Sequence, residues 1–181
     1  MKKIMILALA LLMLLSLTAC GSKKTEEPKA GEESVGLANP WSEAASAEEA
    51  AKGAGVGEFV LPENATETSG GRVDWMSFRY MKDLAQADGG IGSAELTARK
   101  GVRHSGDEDV SGDYTSYKFG WSQDVDGTTV NCYGNEEGRM MKALWERGDF
   151  AYSLVVRGQG DIHDTYGVDA LAVEALVRAI A

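Results

Sequence analysis

Residues 107–118 (DEDVSGDYTSYK) carry the oxygen-bearing side chains whose spacing comes closest to a metal site. A calcium-binding loop of about twelve residues takes oxygen ligands from its first, third and fifth positions and needs glycine at its sixth. Asp107, Asp109 and Ser111 occupy those three ligand positions. Gly112 occupies the sixth position, and Asp113 follows it. The spacing therefore makes this segment a candidate divalent-cation loop.

The twelfth position of the segment argues against that interpretation. Lys118 stands where a calcium loop needs a bidentate glutamate, so a positive charge replaces two oxygen ligands. The alternative is a tight turn in which Gly112 supplies unusual dihedral angles and Asp113 caps the chain before a strand. We favour the turn and expect neither a metal nor a cofactor. Asp107, Asp109, Ser111 and Asp113 remain the candidate ligands if a cation binds.

Side chains for catalysis are few in this sequence. Its two histidines, His104 and His163, lie in polar segments far apart in the chain and are expected at the surface. They would form a metal site only if the fold brought them together. No serine has the flanking glycines of a nucleophile elbow, and no cysteine–histidine pair has a recognisable context. An enzyme is therefore not expected, and no catalytic residue is assigned.

The first nineteen residues have the composition of a secretory signal peptide. Lys2 and Lys3 precede an apolar run over residues 4–17, which is too short to cross a bilayer as a helix of about 20 residues. The run ends in Leu17-Thr18-Ala19-Cys20. This ending resembles the bacterial lipoprotein signal. The resemblance implies that the thiol of Cys20 receives diacylglycerol and that Cys20 becomes the mature N-terminus.

A lipidated Cys20 implies a location on the extracytoplasmic face of the cell membrane. Two acyl chains on one residue hold a protein there stably, whereas one chain does so only marginally. The remaining cysteine, Cys132, is then single and is expected to be a small buried side chain beside Val130. The leader distinguishes neither a Gram-positive from a Gram-negative cell nor one membrane from another.

Composition divides the chain into three parts. Residues 1–19 are the signal peptide, and 20–36 are a flexible tether, since charges of both signs and no aromatic residue cannot support a packed core. Residues 37–181 are expected to form a single domain. The net charge of −10 disfavours nucleic-acid binding, because phosphate neutralisation needs clustered lysine and arginine.

Alternating apolar and polar side chains predict strands through the middle of the domain. In 94–100, Leu96 and Ala98 share one face, and in 115–122 Tyr117, Phe119 and Trp121 share one. The expected strands are 72–81, 94–100, 115–122, 128–133, 139–146 and 150–156, with a shorter one at 59–61. The glycine-rich segment 86–93 is not counted among them. The pattern predicts a meander of five to six antiparallel strands.

Helical signals flank these strands. Ser46 and Glu49 form a capping box before a short helix at 47–54. Near the C-terminus, apolar residues recur at helical spacing from Val168 to Ile180 and predict an amphipathic helix. This helix is expected to pack on the open apolar face of the sheet. The predicted fold class is α+β, with a short N-terminal helix, the meander and a closing helix.

Several short motifs keep their order from residue 37 onward. They are Asn39-Pro40-Trp41, Ser46-Ala47-Glu48-Glu49-Ala50, Leu61-Pro62-Glu63, Asp109-Val110-Ser111-Gly112-Asp113-Tyr114, Ala143-Leu144-Trp145 and Phe150-Ala151-Tyr152-Ser153-Leu154. In this order they resemble a family of uncharacterised exported domains in small lipoproteins of Gram-positive anaerobes. The family has no assigned activity, so the resemblance implies export and a fold but no site residue.

The sequence predicts a membrane-anchored binding or sensing module without chemistry of its own. Its partners would be the membrane, through Cys20, and an unknown protein or envelope ligand; the oligomeric state stays open. One alternative is a carrier or sensor of apolar ligands, which would need a cavity between sheet and helix. Another is a cell-envelope hydrolase, which a pocket of convergent carboxylates with a raised pKa would favour.

Overall fold

The computed structural model describes residues 39–62, 72–105 and 109–181. The signal peptide, the tether, Cys20 and Asp107 lie outside these ranges, so the predictions made for them remain predictions. Two helices and eight strands follow one another along the described residues. They are β1 (Ser42–Ala44), α1 (Ala47–Ala54), β2 (Val73–Met81), β3 (Leu84–Ile91), β4 (Ala94–Val102), β5 (Phe119–Val125), β6 (Thr128–Gly134), β7 (Lys142–Arg147), β8 (Phe150–Gly158) and α2 (Ala170–Ala179).

The strands form one antiparallel sheet in the order β1-β2-β3-β4-β8-β7-β6-β5. The α+β class and the antiparallel sheet are therefore confirmed, but the predicted count of five to six strands is too low. A single meander would place β5 beside β4. Instead β8 lies between β4 and β7, so two four-stranded meanders meet along the β4–β8 pair. The chain after β4 must consequently cross to the far edge of the sheet before β5 begins.

Three elements differ from the sequence prediction. Strand β3 was not predicted, because two glycines and the polar Gln86 and Asp88 interrupt its apolar pattern. Strand β1 precedes α1, so the helix does not open the domain. Residues 59–61 form no strand of the sheet, although the backbone of Val60 pairs with that of Ala181 through two hydrogen bonds of 2.8 and 3.2 Å.

Both helices begin after a capping side chain, of which Ser46 was predicted and Asp169 was not. The side chain of Ser46 accepts a hydrogen bond from the backbone N–H of Glu49, and Gly55 ends α1 in the left-handed conformation. The side chain of Asp169 caps α2 in the same way, through the N–H of Ala172. Within the described residues, neither helix is long enough to cross a bilayer.

Both helices cover the same face of the sheet. Alternate residues of each strand point to that face and form one buried apolar core with α1 and α2. Leu96 of β4, Leu154 of β8 and Leu176 of α2 are at most 1% exposed within it. Cys132 is also fully buried there as a free thiol. This confirms the prediction that Cys132 and Val130 share the buried face of one strand. Burial of this apolar surface is the main favourable term for the fold.

Within the described residues no helix lies on the opposite face of the sheet, which we call the open face. It carries the other alternate residues, which are polar or charged at many positions. On β3 these are Gln86 and Asp88, and on β4 they are Thr97 and Arg99. This face positions every candidate site described below.

Candidate functional site

Side chains on the open face line up in rows, because the eight strands are paired in register. One row joins every strand from edge to edge. It runs through Glu43, Arg79, Gln86, Arg99, Ser153, Leu144, Asn131 and Ser122. The neighbouring row runs through Ser77, Asp88, Thr97, Val155, Lys142, Tyr133 and Gly120. Residues from all parts of the sequence therefore meet on one surface.

Residues 109–118, which we call the strap, cross this surface on the way from β4 to β5. The carboxylate of Asp109 accepts a hydrogen bond from Lys142 Nζ at 3.0 Å, and that of Asp113 accepts one from Arg157 Nη2 at 2.6 Å. The backbone carbonyl of Val110 accepts a third, from Arg99, at 3.1 Å. These bonds hold the strap against β4, β8 and β7.

Hydrogen bonds inside the strap complete the environment of its two carboxylates. Asp109 accepts from the backbone N–H of Ser111 at 2.9 Å, and Asp113 accepts from that of Thr115 at 3.0 Å. The phenol of Tyr117 also donates to Asp113. Burial alone would raise the pKa of both carboxyl groups, but these bonds and the two basic side chains outweigh it and lower both pKa values.

The basic partner Lys142 is enclosed by the strap. Its ammonium group donates to Asp109 and also to the backbone carbonyl of Asp113, at 3.2 Å. It lies 5.7 Å from the ring centre of Tyr117 and 5.1 Å from that of Tyr133. A buried ammonium with two acceptors and two aromatic faces is well satisfied, so Lys142 serves to anchor the strap.

Two features of the strap favour glycine at position 112. Its φ of +63° lies in the left-handed region, which residues with a Cβ rarely adopt. A Cβ at this position would also lie 2.2 Å from Nη1 of Arg99, the side chain that holds Val110. The prediction that Gly112 supplies the unusual dihedral angles of a turn is thus confirmed.

The candidate cation ligands Asp109, Ser111 and Asp113 lie together in the strap, whereas Asp107 lies outside the described residues. The carboxylate oxygens already accept hydrogen bonds from Lys142 and Arg157, with which a cation would have to compete. In the described ranges, no group of three or more histidine, cysteine, aspartate or glutamate side chains is arranged to hold a metal.

The two histidines are not brought together. His104 follows β4 and His163 follows β8, and because these strands are antiparallel the two residues lie at opposite ends of the pair. Each histidine is exposed and lies near one aspartate, Asp83 or Asp164. Burial raises the pKa of the Cys132 thiol to about 12, so this thiol is not a ready nucleophile.

Tyr117 corrects one sequence prediction. The alternating pattern placed it on one face of a strand with Phe119 and Trp121. Strand β5 begins only at Phe119, and Tyr117 belongs to the strap, where its ring lies 6.4 Å from that of Tyr133 on the open face. Trp121 pairs with Cys132 on the helix side. The hydrogen bond from the Tyr117 hydroxyl to Asp113 holds this residue in the strap, two positions before β5 begins.

A groove of about 580 Å³ opens on the same face beyond the strap. Its floor is the open-face side of β6 and β7, where Asn131 pairs with Leu144. Thr129 and Asn131 are exposed in it. Tyr133 stands between the groove and the strap, since its ring faces Lys142 and Tyr117. The lining residues are Gly127, Thr128, Thr129, Asn131, Tyr133, Leu144, Trp145, Glu146, Arg147 and Gly148.

The chemistry of this groove is that of reversible polar binding. Thr129 offers a hydroxyl, Asn131 an amide and Glu146 a carboxylate, while Tyr133 and Leu144 offer flatter apolar surface. Such a combination suits a ligand that presents hydroxyl or amide groups beside apolar patches. Glu146 is already paired with Arg103 at 2.6 Å, which fixes the rim at that end.

Sequence reasoning identified none of the groove residues and none of the strap's basic partners. Lys142 and Arg157 lie on β7 and β8, some 30 to 45 residues beyond the aspartates that they bind. The available signal was weak: polar residues at every second position of a strand mark an uncovered face. That pattern indicates which side of a strand faces outward but not which strands adjoin.

No protein-family model, no curated protein and no solved structure matches this chain.

Proposed function

We propose that the protein is a lipid-anchored binding module of the extracytoplasmic membrane face, and that the groove over β6 and β7 is its ligand-binding surface. The lipoprotein-like ending at Cys20 supports the anchor. The groove supports the binding role: on a face otherwise crossed by the strap, it leaves Thr129 and Asn131 exposed to solvent. This combination of exposure and polar chemistry carries the proposal.

The groove favours a ligand from the cell envelope with hydroxyl or amide groups, such as a glycan or an extended peptide. Thr129 and Asn131 alternate along β6 and face the same way, with Leu144 beside Asn131 on β7. A ligand lying along the strands would meet a polar group at every second residue. The bound ligand would then be close to Tyr133 at the end nearest the strap.

Two features weigh against the alternative functions. Convergent carboxyl groups with a raised pKa would have favoured a hydrolase, whereas the pKa values of Asp109 and Asp113 are lowered. A carrier of apolar ligands needs space between sheet and helices, a region in which Leu96, Leu154 and Leu176 are packed.

Site-specific photocrosslinking tests the binding role. A photoreactive side chain at Thr129 would lie in the groove, and the same group at the exposed Thr165 serves as the matched control. With solubilised envelope glycan fragments and membrane extract as probes, adducts should form at position 129 and be reduced by excess unlabelled probe. Equal adducts at both positions, or none at 129 with either probe, would contradict the proposed groove.

The anchor requires a separate experiment. Cys20→Ser should release the domain into the soluble fraction or leave the precursor unprocessed, because no thiol is left to acylate. Fractionation and metabolic labelling with a fatty acid would detect the change. A processed and lipid-labelled Ser variant would show that Cys20 is not the lipidated residue.

A further inference from the structure

The guanidinium group of Arg79 has N–H donors without hydrogen-bond acceptors among the described residues. Its Nε is buried and has no hydrogen-bond partner among the described residues. The nearest carboxylate oxygen, on Asp88, lies 3.7 Å from Nε, beyond hydrogen-bonding distance. The Arg79 side chain as a whole is 37% exposed, so a dissolved ligand has access to it.

Asp88 does not complete the coordination of Arg79, because other donors use its oxygens. The side-chain amide of Gln86 donates to both oxygens, at 2.8 and 2.9 Å. The hydroxyl of Thr97 donates to one of them at 2.8 Å. The hydroxyl of Ser77 also lies 3.5 Å from Oδ2, so four contacts use the roughly four acceptor sites of this carboxylate. Arg79 could therefore gain a closer contact only by displacing one of these donors.

A second guanidinium lies beside the first. Arg79 and Arg99 flank Gln86 in the same row, and their Cζ atoms lie 4.8 and 5.5 Å from the ring centre of Trp41. Arg99 donates from Nε to Gln86 and from Nη1 to Val110, which leaves Nη2 without a bond to the described residues. Burial, and then repulsion from Arg79, lower the pKa of Arg99.

We infer that Arg79 and Arg99, which both lie against the Trp41 ring, form a binding site for an oxyanion group, either a carboxylate or a phosphate. Two positive charges gathered on one indole repel each other, and a shared anion removes that repulsion. An arginine fork matches the two oxygens of either group, and the Arg79 guanidinium donates no hydrogen bond to the residues that the structure describes. Neighbouring hydroxyls of Ser77 and Thr97 add polar surface on the Asp88 side.

This site is distinct from the groove. Arg79 lies on β2 and Arg99 on β4, whereas the groove lies over β6 and β7, so β8 alone separates the strand of Arg99 from β7. At about 4.8 Å per strand, the groove begins about 20 Å from Arg79 and about 10 Å from Arg99. Either can be present without the other, so the failure of one proposal leaves the other intact.

The test is a titration of the purified full-length protein followed by NMR at the Nε–Hε groups of arginine. Sodium phosphate and sodium acetate are the probes, and sodium chloride at equal ionic strength is the control. We expect a saturable shift at Arg79 and Arg99 with one or both oxyanions; the probe that saturates at lower concentration identifies phosphate or carboxylate. An identical response to chloride, or no saturable response to either oxyanion, would overturn the inference.

Variants locate the site. Arg79→Gln should weaken binding of the better probe by about tenfold, because one charge-assisted pair of bonds is lost. Arg178→Gln, which removes an exposed arginine on α2, should leave the affinity unchanged. Arg79→Lys keeps the charge but loses the fork, so it should bind more weakly than the wild type even if the glutamine variant does not fold. Unchanged affinity in a folded Arg79 variant would exclude the site.

Discussion

The open face of the sheet has two regions that differ in how their polar groups are used. Over β4, β8 and β7 the strap lies on the sheet, and Asp109, Asp113, Lys142 and Arg157 bind one another. Over β6 and the free side of β7, the groove leaves Thr129 exposed. The region with more charged side chains therefore has fewer polar groups available to a ligand. When the charged side chains on a sheet face are paired with one another, they hold the structure together. A ligand site is better sought where the polar side chains are unpaired.

The strongest expected effect comes from cutting the strap. Asp113→Ala removes a carboxylate that accepts hydrogen bonds from Arg157, Thr115 and Tyr117. The side chain of Asp113 is only 4% exposed. We expect a loss of about 2–3 kcal/mol of unfolding free energy, measured by urea denaturation. Asp149→Ala, in the exposed β7–β8 turn, is the control and should change little. Equal losses of unfolding free energy in both variants would mean that the hydrogen bonds of Asp113 do not stabilise the fold.

Acid should loosen the same region. The folded-state pKa values of Asp109 and Asp113 lie below the unfolded value of about 3.9, so their stabilisation is complete above that pH. It is lost as the pH falls through the folded-state values. Between pH 6 and about pH 2, the melting temperature of the wild type should fall more steeply than that of the Asp109→Asn, Asp113→Asn double variant. Parallel curves would show that these two carboxylates do not stabilise the fold.

Gly112→Ala tests the shape of the strap without changing its charge. The left-handed φ and the approach of Arg99 should cost roughly 1 kcal/mol or slightly more, seen as a lower midpoint of urea denaturation. Gly138→Ala is a matched control, since its φ is +70° but no atom lies within 4 Å of its added Cβ. Because both glycines have a positive φ, the difference between the two losses of unfolding free energy would measure the cost of the Arg99 contact.

Calcium gives a complementary test of the strap. If the segment is a turn whose carboxylates are bound by Lys142 and Arg157, millimolar calcium should leave the melting temperature unchanged. A calcium-dependent rise that disappears in Asp109→Asn would instead make the strap a cation site.

The smallest effect on stability is expected in the groove. Asn131→Ala removes an exposed side chain whose one hydrogen bond, from Ser122, is 2.8 Å long and lies at the surface. Unfolding free energy should change by less than about 0.5 kcal/mol, while photocrosslinking from Thr129 should fall. Destabilisation as large as that of Asp113→Ala would mean that the two regions do not differ as described.

The sequence predicted the elements whose apolar residues all face one side. Strand β4 was found through Leu96 and Ala98, and α1 through the cap at Ser46. Strand β3 was missed because two glycines and the polar Gln86 and Asp88 interrupt its apolar pattern. Gln86 is nevertheless buried, and its side-chain carbonyl accepts a hydrogen bond from Arg99 of β4. Burial of that kind depends on partners distant in sequence, which a local pattern does not contain.

The candidate site was predictable only in part, for the same reason. The turn at Gly112 follows from local backbone chemistry and was found. The ion pairs of Asp109 and Asp113 depend on strand order, and the position of β8 between β4 and β7 reverses the order that a meander would give. The groove is likewise a property of adjoining strands, so no single segment reveals it.

The placement of β8 beside β4 has a consequence for the kinetics of folding. Short connections join β2 to β4 and β5 to β8 in sequence, whereas pairs such as Arg99 with Ser153 join residues about 50 apart. Closing so long a loop costs more entropy than closing a hairpin, so we expect docking of the two meanders to limit the refolding rate. Substitutions along the β4–β8 pair should then slow refolding, whereas those in the outer hairpins should mainly accelerate unfolding.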